Sequence, residues 1–82
     1  FNCMFDEDCK QKRAFIKTIA QNVLELRNHS VFNEEQEQGK LRDHGETKAN
    51  IMLAYRHLED AAMRLGKAIQ AFDGGGKSIY DK

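Results

Sequence analysis

Between Ile51 and Phe72 the residues Ile51, Tyr55, Leu58, Ala62, Leu65, Ile69 and Phe72 recur at steps of three or four. That period lays side chains along one side of an α-helix and fits no strand. The stripe predicts one long helix from about Thr47 to Phe72. A second run, Phe15, Ile16, Ile19, Ala20, Val23 and Leu24, also recurs at helical spacing and predicts a shorter helix from about Asp6 to Asn28. Asp6, Glu7 and Asp8 suit its start, where carboxylates meet the positive end of the helix dipole, and Arg27, Asn28 and His29 suit its end. The sequence has no proline and few β-branched residues, so nothing interrupts these helices and little favours strands.

Between the two runs lies VFNEEQEQGKLRDHGE, too poor in apolar surface for a core element. It reads as a connector. Asn33 could cap a short helix there, with Gln36 reaching back, and Gly39 and Gly45 limit its length. The expected fold class is therefore all-α: a helical hairpin of two long antiparallel helices with a polar connector, making a single domain of residues 1–82.

Such a hairpin leaves apolar residues uncovered. Ala54, Ala61 and Ala68 form a seven-residue series beside the main stripe, Met52 and Met63 lie on another flank, and Leu53 with Ala71 on yet another. One partner helix covers one stripe, so apolar residues on several sides argue for further copies of the chain. Length points the same way, because 82 residues bury too small a share of their surface to be comfortably stable alone. The expectation is a homo-oligomer.

Composition removes several roles. Lysine plus arginine and aspartate plus glutamate both number 13, so the chain lacks the positive excess that non-specific duplex binding needs, and DNA is not an expected partner. Cys3 and Cys9 cannot make a four-thiolate zinc site, and His29, His44 and His57 are scattered; no metal or other cofactor is expected, and both cysteines read as reduced thiols. No apolar run approaches the length of a membrane span and no secretory signal is evident, so a soluble intracellular protein is expected.

The stretch GGGKS, residues 74–78, looks like the end of a phosphate-binding loop. The motif needs a glycine five positions before Gly76, and Ala71 stands there. Four residues follow Ser78, too few for the helix whose amides would face the phosphates. Gly74 is read instead as a helix C-cap with a flexible tail behind it.

Candidate ligand-binding residues are cations. Arg56, Asp60 and Lys67 lie along the polar side of the long helix, with His57 and Arg64 round one shoulder and Glu59 round the other. They make either a solvated face with ion pairs such as Arg56 to Asp60, or cations near a subunit interface that converge on an anionic guest. The first helix offers Lys10, Lys12, Arg13 and Lys17 behind Phe1 and Phe5, an arrangement in which a ring stacks on a base while cations take its phosphates. Phe5 equally suits a hydrophobic staple. No nucleophile constellation or convergent carboxylate pair is present, and the adjacent Glu59 and Asp60 point about 100° apart on a helix, so no enzyme activity is expected.

The run NIMLAYRHLEDAAMRLGKAIQAFDGG, residues 50–75, resembles the small phage anti-CBASS and anti-Thoeris proteins, which act as sponges for cyclic-nucleotide immune signals. The resemblance rests on Leu53, Ala54, Leu58, Glu59, Asp60, Ala61 and Met63 and covers about half of the chain. It implies a hexamer that binds cyclic dinucleotides, cyclic trinucleotides or cyclic ADP-ribose variants, without cutting them, in pockets shared by neighbouring subunits. It implies a basic role for Arg13, an aromatic role for Phe5 and a second basic role for Arg64. It also allows Lys77, Ser78 and Tyr80 to close over a neighbour's pocket, the alternative being a frayed terminus that only solubilises the chain. The chain departs from relatives with a tyrosine-histidine-proline N-terminus, having CMFDED there.

Together these readings give a cytoplasmic protein of the infected bacterial host that sequesters cyclic nucleotides, with Arg13, Arg64 and Lys67 on phosphates, Phe5 on a base and Arg56 next. The alternatives are a small oligomeric scaffold or adaptor that binds a host protein, and a hydrolase of the same messengers.

Overall fold

The computed structural model describes residues 2–40 and 42–74, and these are helical with no strand. The elements are α1 (Asn2–Glu25), a 3₁₀ turn (Leu26–Asn28), α2 (Ser30–Glu37) and α3 (Gly45–Asp73). Helix α1 starts four residues before the expected Asp6, and α3 two residues before Thr47. At residues 26–28 the α1 helix tightens, and His29 is extended, with φ −61° and ψ 143°. That break matches the predicted end of the first helix.

The helix in the connector is not the expected one. It starts at Ser30 rather than after Asn33, because His29 caps it: the Val31 amide donates to His29 Nδ1 at 3.0 Å. Asn33 lies inside the helix, so it does not cap. The end is as the glycine foretold. Gly39 takes φ 75°, its amide donates to the Gln36 carbonyl at 3.1 Å, and the Lys40 amide donates to the Glu35 carbonyl at 2.8 Å. This paired closure satisfies carbonyls that the helix end would leave orphaned.

The connector also carries more structure than a polar link. Glu35 accepts from Arg42 Nε at 3.1 Å and Nη2 at 2.9 Å, and lies 2.8 Å from His44 Nε2. The His44 and Arg42 hydrogen bonds hold the Glu35 carboxyl below its ordinary value. Phe32 packs against the His44 ring with centroids 4.9 Å apart, and the Lys48 ammonium stands 4.8 Å from the centre of the Phe32 ring. Thus α2, the loop and the first turns of α3 are fastened together by charge and one aromatic ring.

Helices α1 and α3 pair along their length, with partners in reverse sequence order. Phe5 meets Phe72 at a centroid distance of 4.5 Å, Arg13 Nε donates to the Ala62 carbonyl at 2.8 Å, and Arg27 reaches Met52 Sδ at 3.6 Å. The seam is built from small residues: Ala20 and Ala62 are 2% exposed and Cys9 6%. Ile16, Val23 and Leu24 on α1, and Ile51, Tyr55, Leu58, Leu65 and Ile69 on α3, are half-buried. Phe15 and Ile19, expected on the same face of α1, are 59% and 50% exposed. They project sideways from the seam line Cys9–Ile16–Ala20–Val23, and a single partner helix does not reach round to them.

The Cα positions span 61 × 27 × 8 Å. The thinnest extent is close to one helix, whose Cα cylinder is about 4.6 Å across, so the chain is a single layer. Its radius of gyration, 18.9 Å, exceeds the roughly 12 Å of a compact domain this long. Its accessible surface is 6729 Å², against about 5,000 Å² for a compact monomer of this mass.

A single layer has two broad sides. By helical phase, one carries Phe15, Ile19 and Leu26 of α1 beside Ala54, Ala61, Ala68 and Phe72 of α3. The other carries Arg13, Lys17, Gln21, Glu59 and Lys67. The first is the more apolar, with Asp8, Lys12, Asn50 and His57 at the same phase, and the second is mostly charged or amide. Helix α3 ends where the Gly74 amide donates to the Gln70 carbonyl at 3.0 Å. Gly74 caps it as expected, with φ −79° rather than a left-handed turn. The tail residues Lys77, Ser78 and Tyr80 lie outside the described residues, as does Phe1. Arg56 and Asp60 make no ion pair among the described residues; the pairs there join Lys12 to Asp8, at 4.0 Å, and Arg42 and His44 to Glu35.

Two predictions follow from this packing. Ala62→Leu forces a larger side chain into the closest part of the seam and lowers stability by about 1–3 kcal/mol, read by thermal melting. The second concerns the free end, where Asp6 meets Asp73 and Asp6 Oδ1 is buried with no partner. Burial, then the contact with Asp73, raises the Asp6 carboxyl above its ordinary 3.8. A raised carboxyl stabilises the fold when protonated, and that contribution is lost as pH rises through the raised value. Asp6→Asn, which cannot ionise, raises the melting temperature at pH 7 and flattens its decline above pH 3.8; an unchanged pH profile would count against the pair.

Candidate ligand-binding groove

On the charged side, α1 and α3 flank a groove of about 650 Å³, within the range of small-molecule sites. Helix α1 contributes Arg13, Lys17 and Gln21, spaced by four residues and so stacked along one side. Helix α3 contributes Glu59, Met63, Gly66, Lys67 and Gln70, again one side of a helix, and Ala20 and Ala62 form the floor. Small residues at the seam bring the backbones together there and leave the longer side chains as walls.

The lining holds three cations and one carboxylate. None of Arg13, Lys17 and Lys67 is ion-paired among the described residues. The one carboxylate is partly occupied: Tyr55 Oη donates to Glu59 Oε2 at 2.7 Å. That hydrogen bond, then burial and the charge of Glu59, raises the Tyr55 phenol above its ordinary 10.0 and keeps it a donor. The groove thus presents a net positive charge, with amides from Gln21 and Gln70 as neutral partners.

Arg13 is fixed by two features. Its Nε donates to the Ala62 carbonyl, and its guanidinium lies against the α3 backbone at Gly66, so close that a Cβ added to Gly66 would stand 3.3 Å from Arg13 Cζ and 3.4 Å from Nε and Nη2. With Nε committed, the two terminal nitrogens have no protein partner among the described residues.

The structure brings together Arg13 and Lys67 of the five residues singled out in the sequence. Arg56 and Arg64 are exposed on α3 and do not line the groove; at 100° per residue Arg64 lies about 130° round the helix from the line Glu59–Met63–Gly66–Gln70. Phe5 packs on Phe72 at the free end of the pair, away from the groove. Sequence reasoning grouped Lys17 with the basic residues of α1 without assigning it a role, and passed over Gly66, Gln21 and Gln70. A signal for Gly66 existed: it is the one glycine within the long apolar stripe, where glycine costs about 1 kcal/mol relative to alanine.

A second concavity of about 380 Å³ lies at the connector, between Phe32, Arg42, His44 and Lys48. Its Arg42 and His44 side chains already serve Glu35. Among the described residues no cluster of three or more His, Cys, Asp or Glu could hold a metal ion, and no helix is long and apolar enough to cross a membrane. Comparison of the chain with protein-family models, with curated proteins and with solved structures finds no match.

Proposed function

We propose that the chain is an antiparallel helical hairpin that assembles with copies of itself and sequesters cyclic nucleotide messengers, without chemistry. The observation that carries this reading is the groove itself: three cations that make no ion pair among the described residues, and one carboxylate, around a volume suited to a nucleotide-sized anion. Arg13 offers a fork for phosphate oxygens, and Lys17 and Lys67 offer point charges. Cyclic di- or trinucleotides and cyclic ADP-ribose variants combine such phosphates with flat bases, for which Gln21 and Gln70 provide hydrogen-bonding partners.

Assembly supplies what one layer lacks. A groove on a sheet of helices one layer thick covers one side of a guest, and tight capture needs a second wall. The apolar side offers Phe15, Ile19, Leu26 and the Ala54–Ala61–Ala68 series for burial against other copies, and Met63 at the groove gives a neighbour an apolar foothold. A hexamer with pockets shared between neighbours fits this need. Sequestration then acts by mass action in the cytoplasm of an infected bacterium, lowering free messenger below the threshold of the defence it triggers. In this reading Arg56 and Arg64 serve a guest only where a neighbouring copy brings them to a pocket, and Phe5 holds Phe72.

The bare apolar side also favours a second reading, an oligomeric scaffold that binds a host protein. One experiment separates them. The protein is incubated with mixed cyclic nucleotides, then heated, and the supernatant is analysed. Intact messenger depleted before heating and recovered after it supports sequestration; degraded messenger points to a hydrolase, and no depletion to a scaffold. Charge reversal at Lys17 or Lys67 weakens binding by tenfold or more, about 1.4 kcal/mol, with a loss that shrinks as salt rises. For assembly, Phe15→Glu lowers the particle mass measured in solution; a mass that stays unchanged, or a native mass of one chain, removes the shared wall.

A further inference from the structure

We infer that Gly66 is a positioning residue for anion recognition, a seat in α3 that sets the Arg13 fork and makes arginine, rather than any cation, the residue required at position 13. The inference rests on the groove being the ligand site. Three observations converge on it. Gly66 stands within a long helix, where no turn and no positive φ calls for glycine. A Cβ there would meet the guanidinium carbon at 3.3 Å, tighter than ordinary van der Waals contact. The guanidinium does not withdraw freely, because Nε is tied to the Ala62 carbonyl at 2.8 Å, one helical turn before Gly66.

The geometry divides the work of the guanidinium. Its inner edge is spent on the α3 backbone, which locks the plane of the group. Its outer pair of nitrogens is left for a bidentate contact with the two non-bridging oxygens of one phosphodiester, the planar match that a lysine ammonium does not offer. Lys17 and Lys67, on flexible stems, adapt to a second phosphate. A methyl group at position 66 makes the guanidinium give way by a few tenths of an ångström, which lengthens the Nε bond and tilts the outer pair.

The test uses Gly66→Ala, Arg13→Lys and Arg13→Ala in the full chain. Binding of cyclic di-AMP and of inorganic pyrophosphate is measured by titration, and the Arg13 Nε–H signal is followed by ¹⁵N NMR. Gly66→Ala is expected to raise or preserve the melting temperature, since alanine suits a helix interior better, yet to shift the Nε–H signal, speed its exchange and weaken cyclic di-AMP binding tenfold or more. The double variant Gly66→Ala with Arg13→Ala is expected to lose no more than Arg13→Ala alone. Arg13→Lys, which leaves the seat untouched and keeps the charge, is expected to bind as poorly as Arg13→Ala. An unchanged Nε–H signal in Gly66→Ala, or full binding by Arg13→Lys, overturns the proposal. If the natural chain binds neither probe, the groove reading fails, and the Nε–H signal still decides the seat: a shifted signal supports it and an unshifted one removes it.

Discussion

Two helices side by side have no interior. Every side chain in such a layer is at most one residue from solvent on some side, which is why, among the described residues, the fully covered positions are a cysteine and two alanines and no large apolar residue is fully buried. The rest of the structure follows from that geometry. The seam must be made of small residues for the backbones to approach, larger side chains must stand above and below it, and the two broad sides must then differ or the chain would have no preferred orientation toward its surroundings. Here they do differ: rings, aliphatics and alanines gather on one side, with the Asp8–Lys12 pair among them, and most of the groove cations and amides stand on the other.

The groove is a by-product of the same constraint. Close approach at Ala20 and Ala62 leaves a trough flanked by whatever stands on the next positions round each helix. On α1 these are Arg13, Lys17 and Gln21, and on α3 Glu59, Met63, Lys67 and Gln70. No loop is needed to build the site, so its spacing is fixed by helical pitch. Its one carboxylate is drawn toward Tyr55 along its own helix, which reduces its competition for the cations across the groove.

The two long helices were legible in the sequence because seven apolar residues at steps of three or four leave no other regular structure, and proline is absent. The connector was harder. His29 caps Ser30–Glu37 through a local contact to the Val31 amide, but histidine is not among the preferred capping residues, and the Glu35 cluster with Arg42 and His44 depends on a chain reversal that no local pattern encodes. The cationic groove was partly visible: Arg13 and Lys67 stood out as basic residues on predicted helices, but which face of α1 meets which face of α3 is set by packing, and that phase decided between Lys67, which lines the groove, and Arg64, which does not. Phe5 illustrates the same limit. Its position ahead of a basic helix suited either stacking on a guest or packing at home, and only the proximity of Phe72 distinguishes them.

The fastening of the layer is uneven. At the connector the Glu35 carboxylate is held between a guanidinium and an imidazole, and Lys48 leans over Phe32, so that end is clasped by attraction. At the opposite end the termini of α1 and α3 set Asp6 against Asp73, with one ring-to-ring contact alongside. The pair is therefore clasped at the connector, where opposite charges meet, and loaded at the free end, where two carboxyls share a site, so a rise in pH adds repulsion at that end.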